Sequence, residues 1–96
     1  MSDVTITRHG NAKAGEYRAH VNGSDDIGRL TWVERSGARV AEHTFVPPSI
    51  GRRGIAAQLV EAFVKDAREQ NFKINPVCSY VVAKFDKYPH WSNIRA

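Results

Sequence analysis

The only thiol of the chain, Cys78, is the first candidate for chemistry, because the 96 residues include one cysteine. It follows an extended segment and precedes a short predicted helix that begins at Ser79. A helix N-terminus lowers the pKa of a thiol that points toward it, which makes the sulfur a better nucleophile or proton donor. A lone cysteine is also commonly a small buried hydrophobic residue. The position alone therefore leaves both interpretations open.

A turn rich in glycine and arginine precedes the longest predicted helix. Residues 51–54 read Gly-Arg-Arg-Gly. Glycine lets the backbone approach a ligand closely, arginine matches phosphate with its forked donors, and the helix N-terminus offers free N–H groups. The spacing fits neither G-x-x-x-x-G-K-[ST] nor G-x-G-x-x-G, so neither a P-loop nor a Rossmann site is indicated. The turn predicts a phosphate site, with a flexible basic turn as the alternative.

His43 is the candidate acid–base group to work with Cys78. It lies on the fourth predicted strand, and strict alternation places it on the same face as Ala41 and Phe45. A neutral imidazole there could deprotonate an incoming ammonium or orient the thiol, and a structural histidine is the alternative. The other histidines show no metal-ligand spacing, so we expect no metal.

Hydrophobic periodicity predicts the elements that position these residues. Residues 1–46 alternate apolar and polar side chains in four segments joined by short turns, which predicts an antiparallel meander. Pro47 and Pro48 end it. The period then changes: from Ile55 onward an apolar residue recurs at every fourth position. This pattern predicts an amphipathic helix of about four turns, with Asn71 at its end.

Two shorter elements complete the predicted domain. Residues 72–78 have strand character, and Ser79 could cap a helix that runs to about Lys87 before Pro89 ends it. The order ββββαβα predicts an α+β or mixed α/β domain. Its fifth strand should run parallel to the fourth because a helical crossover joins them.

Length and composition limit the classes of protein that remain. Ninety-six residues, 42% hydrophobic and 25% charged, predict one globular domain over residues 1–96. No apolar run approaches the ~18 residues that a membrane span needs, and the polar N-terminus lacks the apolar region of a signal peptide. With one cysteine, we expect a cytoplasmic protein that does not bind membranes.

The net charge of +4 comes from the second half of the chain. Residues 1–48 carry six basic and six acidic side chains, whereas residues 49–96 carry eight basic and four acidic ones. This asymmetry indicates an anionic partner. Nucleic acid is not the favoured partner, because no RNP-like motif appears and the basic excess follows the proline-rich turn rather than a sheet.

The second half of the chain resembles the GNAT superfamily of N-acetyltransferases. A strand ending in Val-Pro-Pro, a Gly/Arg turn and a helix opening are similar to its pyrophosphate motif, [Q/R]-x-x-G-x-[G/A]. Gly54 and Ala56 match the last two fixed positions, and Gly51 stands where glutamine or arginine is usual. The segment at 76–81, Pro-Val-Cys-Ser-Tyr-Val, is similar to minimal single-domain members, and the resemblance covers roughly residues 15–92.

The resemblance implies a truncated GNAT-like fold that binds acetyl-CoA or coenzyme A. It also implies a role for Cys78 in the active site, as an acyl relay or as a proton donor. The backbone near Phe45 and Val46 would contact the pantetheine arm. The implied pyrophosphate contacts come from the helix opening and its arginines: Arg52, Arg53, Gly54, Ile55, Ala56 and Ala57.

The resemblance further implies an acetyl-CoA-dependent N-acetyltransferase. A coenzyme A-binding sensor or accessory module with little catalysis is the alternative, because several acid–base positions depart from the family pattern. The acceptor would be an amine on a small molecule or a protein. We expect a monomer or a weak homodimer, since an open sheet edge could pair with a second copy.

Overall fold

Five strands and two α-helices are found among the described residues, in the predicted order. The computed structural model describes residues 3–51 and 53–96. The strands are β1 (Val4–Gly10), β2 (Ala14–Val21), β3 (Ile27–Arg35), β4 (Ala38–Phe45) and β5 (Lys73–Pro76). The helices are α1 (Ile55–Gln70) and α2 (Ser79–Lys87), and 3-10 turns span Pro48–Ile50 and Pro89–Ile94.

One sheet in the order β1-β2-β3-β4-β5 forms the scaffold. The first four strands pair antiparallel, and β5 pairs parallel with β4. The predicted meander with a parallel fifth strand, and the mixed α/β class, are therefore confirmed. β5 is shorter than the predicted segment at 72–78 and ends at Pro76, which has no N–H to donate to a ladder.

Helix α1 packs one side into the core between the sheet and the C-terminal segment. Leu59, Val60 and Phe63 are fully buried, as the predicted period requires. Gly28 of β3 permits the close approach of the helix, because a Cβ at this position would lie 3.0 Å from Cγ2 of Ile55. Asn71 ends α1 in the left-handed conformation, with φ of 60°, as predicted.

Helix α2 has the predicted bounds but begins differently from the prediction. Cys78 occupies the N-cap position and Ser79 is the first helical residue, and no side chain caps this end. The prediction that Ser79 caps the helix is therefore wrong. Phe85 of α2 packs against Trp91 of the following 3-10 turn, with ring centroids 5.2 Å apart, which covers the end of the core.

A bulge in β4 changes which face its side chains occupy. Ala41 pairs with Trp32, and His43 pairs with Thr31, so Glu42 is the extra residue. Ala41 is fully buried in the core, whereas His43 is exposed. The prediction that Ala41 and His43 share a face is therefore wrong, because the extra residue reverses the alternation.

No helix among the described residues is both long and apolar enough to cross a membrane.

Candidate active site

The edge of β4 is the feature that creates a cleft. β5 pairs with β4 only from Ala38 to Ala41, and β4 then continues to Phe45. The carbonyl oxygen of Ala41 accepts the amides of both Val77 and Cys78, at 3.2 and 3.0 Å. This oxygen is the vertex at which the two strands separate. Beyond it, residues 42–45 present a strand edge that β5 does not cover.

Two large apolar side chains lie exposed on the strands that border this cleft. Phe45, the last residue of β4, is 60% exposed, and Val77, directly after β5, is 59% exposed. No other large hydrophobic residue among the described residues is exposed. Both residues lie beyond the pairing of β4 with β5, and exposed apolar side chains of this kind are typical of places where a partly apolar ligand binds.

Cys78 lies at the start of α2, beside the cleft. Its Sγ donates a hydrogen bond to Oγ1 of Thr44 at 3.7 Å. Burial raises the pKa of this thiol, but the hydrogen bonds with Thr44 and with the backbone of Val81 and Tyr80 lower it more, so the net shift is downward. Cys78 is the N-cap residue of α2, so it lies at the helix N-terminus, where a lowered thiol pKa is expected.

The structure does not bring the two candidate catalytic side chains together. His43 and Thr44 are consecutive in β4, so their side chains lie on opposite faces of the sheet. Thr44 pairs with Leu30 and contacts Cys78, whereas His43 pairs with Thr31. The geometry therefore gives His43 no part in orienting the thiol.

Thr44 is the residue of the site that sequence reasoning missed. The sequence contains part of the information, because strand alternation places Thr44 on the face opposite His43. Its partner Cys78 is 34 positions away, and only the tertiary fold shows that the two meet.

The start of α1 has the features of an anion site. Gly54 precedes the helix in the left-handed conformation, with φ of 68°, and no side chain caps the first turn. The first turn also carries no acidic residue, so its positive dipole end is not neutralised locally. Ile55, Ala56 and Ala57 form the first turn of α1, and the N–H groups of a first turn have no hydrogen-bond acceptor within the helix.

The basic turn contributes one described arginine to this end of α1. Arg53 is exposed next to Gly54. Arg52, the other predicted phosphate ligand, lies outside the described residues. In the part of the chain that the structure does describe, no three histidine, cysteine or carboxylate side chains are placed to hold a metal ion.

The cleft and the start of α1 lie at the same end of the sheet. Ile55 is next to Gly28, and the following residue of β3, Arg29, pairs with Phe45. One extended ligand could therefore contact the helix N-terminus and continue along the open edge of β4 toward Cys78.

The chain is similar to known proteins in sequence and in fold. The model of the GCN5-related N-acetyl-transferase family matches residues 16–94. The fold is similar to that of a GCN5-like protein from Staphylococcus aureus solved by NMR, with a TM-score of 0.72 and 23% identity over 100% of this chain and 91% of that one. A likeness at this identity is evidence for the fold alone. Curated proteins give no match.

Proposed function

Because this chain belongs to the GCN5-related N-acetyltransferase family, whose model spans residues 16–94, we propose that it transfers an acetyl group from acetyl-CoA to an amine. The observation that supports this most directly is the cleft between β4 and β5, which has the Cys78 thiol beside it. The family establishes the class of protein. The cofactor, the acceptor and the residue roles below are parts of the proposal.

The residues around the cleft fit the parts of coenzyme A. The first-turn amides of α1 and the Arg53 guanidinium suit a pyrophosphate, because they combine free donors with positive charge. The exposed backbone edge near Phe45 and Val46 suits an arm that contains amides, since a strand edge offers both donors and acceptors. The exposed side chains of Phe45 and Val77 suit the apolar parts of that arm.

Acetyl-CoA would supply an acetyl group already activated as a thioester. An amine attacks such a carbonyl only as the neutral base; the C–N bond forms, the C–S bond breaks, and the departing sulfur takes up a proton. Cys78 can donate that proton from its thiol, and its lowered pKa makes it a better donor. Alternatively, its thiolate attacks the thioester carbonyl and displaces coenzyme A as the thiolate, and the amine then attacks the acetylated Cys78 and displaces its sulfur.

His43 is the proposed base for the amine. It is exposed on the face of β4 opposite Thr44, so an amine would have to approach from that side of the strand for the imidazole to accept its proton. A His43→Ala variant should therefore lose turnover while its affinity for coenzyme A stays unchanged. Unchanged turnover at pH 7 would exclude this role.

Binding is tested first, by thermal unfolding with coenzyme A and with acetyl-CoA. A ligand at a hundredfold excess over its dissociation constant stabilises the folded state by about 2.7 kcal/mol. We expect this gain to fall in Arg53→Ala. The matched control is Arg35→Ala, which removes the same charge from an exposed position at the end of β3, where it pairs with the first residue of β4. A gain that is equal in the two variants would contradict the proposed phosphate site.

Turnover and intact mass then separate catalysis from binding alone. Thiol release with an amine acceptor establishes transfer. An added acetyl group on the wild type that is absent from Cys78→Ser would identify Cys78 as an acyl relay. Protein that turns over without becoming acetylated would instead support proton donation by Cys78. Tight binding of acetyl-CoA without thiol release across a broad set of amines would instead establish a coenzyme A-binding module.

A further inference from the structure

A second cavity lies at the opposite end of α1 from the cleft. It has a volume of about 200 Å³ and is bordered by the C-terminal half of α1 and by the first four strands. Its lining includes Arg8, Tyr17, Trp32, Arg39, Asp66 and Gln70. α1 has 16 residues, so about 24 Å of helix separates its two ends. Nothing in the proposed acetyl transfer uses this cavity.

The carboxylates of the cavity already have cationic partners. Asp66, only 4% exposed, accepts hydrogen bonds from Nε and Nη2 of Arg8, at 2.6 and 3.1 Å, and from the hydroxyl of Tyr17 at 2.5 Å. Glu16 at the rim pairs with Arg18 and Arg29. These acidic groups therefore do not require a cation from solution.

Arg39 is the basic group of the cavity that lacks such a partner. Its guanidinium carbon lies 4.1 Å from the ring centroids of both Trp32 and Phe72. Over residues 3–51 and 53–96, no hydrogen bond or ion pair to this guanidinium is found. The rings hold the side chain in place, and a stacked guanidinium keeps the N–H groups at its edge available to an acceptor.

Neutral groups around Arg39 add further donors. Asn11 uses its Oδ1 to accept the amides of Lys13 and Ala14, so its NH₂ is the end that remains for a ligand. The amide of Gln70 also lines the cavity and is exposed. The cavity thus combines neutralised carboxylates with a fixed, unpaired guanidinium and two primary amides.

We propose that this cavity binds a small carboxylate, held by the edge of the Arg39 guanidinium. A carboxylate matches the planar fork of arginine with two parallel hydrogen bonds. The volume accommodates a small molecule and not a folded partner. The proposal does not rest on the proposed acetyl transfer, because the cavity is remote from the cleft and its test needs no coenzyme A.

The test is an NMR titration of the wild type with succinate, using the two tryptophans as reporters. The indole N–H of Trp32 lies on a ring that lines the cavity, and Trp91, in the C-terminal 3-10 turn, is an internal control. We expect a saturable shift of the Trp32 signal with little change at Trp91. Succinamide, which has the same carbon skeleton without charge, should give no saturable shift.

Variants then assign the contact to Arg39. Arg39→Gln should weaken succinate binding by about tenfold or more, since it removes the charge-assisted hydrogen bonds to the carboxylate. Arg39→Lys keeps the charge but loses the forked geometry, so its affinity for succinate should lie between those of Arg39→Gln and the wild type. Arg35→Gln, an exposed position outside the cavity, should bind like the wild type. The same spectra show whether each variant is folded.

Three results would overturn the proposal. The first is a Trp32 shift that does not saturate, or that matches the shift of Trp91. The second is equal succinate affinity in Arg39→Gln and the wild type. The third is saturation by phosphate at equal ionic strength when succinate produces none, which would show that the cavity selects a tetrahedral anion and not a planar one.

Discussion

Hydrogen bonds set the protonation of two side chains in different parts of the molecule, Cys78 and Asp66. In both, burial raises the pKa and hydrogen bonding lowers it further than burial raises it. The donors come from distant positions in the chain: Thr44 in the first case, and Arg8 and Tyr17 in the second. The chemistry of each group therefore depends on tertiary contacts that fix a few polar atoms.

Thr44→Val should raise the pKa of Cys78, because it removes a hydrogen-bond partner of the thiolate and leaves burial unchanged. The measurement is the pH dependence of alkylation by iodoacetamide. The wild-type midpoint should lie below the ordinary value for cysteine of about 8.5, and the variant's midpoint should be higher. Thr31→Val, on the other face of the sheet, is the control and should leave the midpoint unchanged. Equal midpoints in Thr44→Val and the wild type would contradict the assigned contact.

Asp66→Asn should destabilise the protein at pH 7 by about 1–3 kcal/mol, because it removes the charged partner of Arg8 and Tyr17. The folded-state pKa of Asp66 is lowered, so its contribution is complete above the unfolded value of about 3.9 and is lost as the pH falls through the folded value. The difference between the variant and the wild type should therefore shrink in acid.

Urea unfolding at pH 7 and at pH 3 measures this difference. Asp86→Asn is the control, since Asp86 pairs with Arg95 on the surface and its side chain is 64% exposed. Such a surface pair contributes about 0–1 kcal/mol. A difference for Asp66→Asn that is the same at both pH values would show that the ionised carboxylate is not what stabilises the fold.

At the scale of elements, the N-terminus of α1 depends on the backbone of one glycine. Gly54 has φ of 68°, and no neighbouring atom lies within 4 Å of the position of its missing Cβ. Glycine is therefore required here by the left-handed backbone conformation, because the surrounding space would accommodate a Cβ. Gly51, three residues earlier, has φ of −68°, which any residue can adopt.

Gly54→Ala should destabilise the protein by about 1–2 kcal/mol, the cost of a left-handed conformation for a residue with a Cβ. Gly51→Ala is the matched control and should change stability by less than about 0.5 kcal/mol. Chemical denaturation of both variants gives the comparison. Equal losses of stability in the two variants would show that the left-handed conformation is not the reason for glycine at position 54.

Regular elements were predictable from the sequence, and the contacts between them were not. The apolar repeat that begins at Ile55 predicted α1, and Pro89 predicted where α2 ends, because these signals are local, whereas Ser79, predicted to cap α2, is its first helical residue. The bulge at Glu42 carries no local signal in the sequence, so the face of Ala41 was assigned wrongly. The contact of Thr44 with Cys78 depends on that bulge and on the parallel pairing of β5.

At the scale of the whole molecule, the net positive charge is divided unevenly between the two halves of the chain. All of the excess of +4 belongs to residues 49–96, which include α1 and the turn before it. Salt screens such a field, with a Debye length of about 10 Å at 0.1 M. An anionic cofactor should therefore bind less tightly as the ionic strength rises.

The affinity for coenzyme A should fall severalfold between 0.05 and 0.5 M salt, because screening weakens the attraction between its phosphates and the basic turn. Calorimetric titration at several salt concentrations measures the slope. Arg53→Gln should reduce the slope, and Arg35→Gln, at the end of β3 that pairs with the start of β4, should preserve it. A salt-independent affinity would mean that apolar and backbone contacts alone hold the ligand.

The carbonyl of Ala41, which accepts the amides of both Val77 and Cys78, gives the cleft a fixed pivot. Strand separation starts at this atom, so any widening of the cleft moves its far ends and leaves the vertex in place. These two amides should consequently exchange their hydrogens with solvent slowly, although they border an open groove. Because the Cys78 amide is one of the two, we expect the backbone that carries the thiol to move less than the open ends of the groove when a ligand binds.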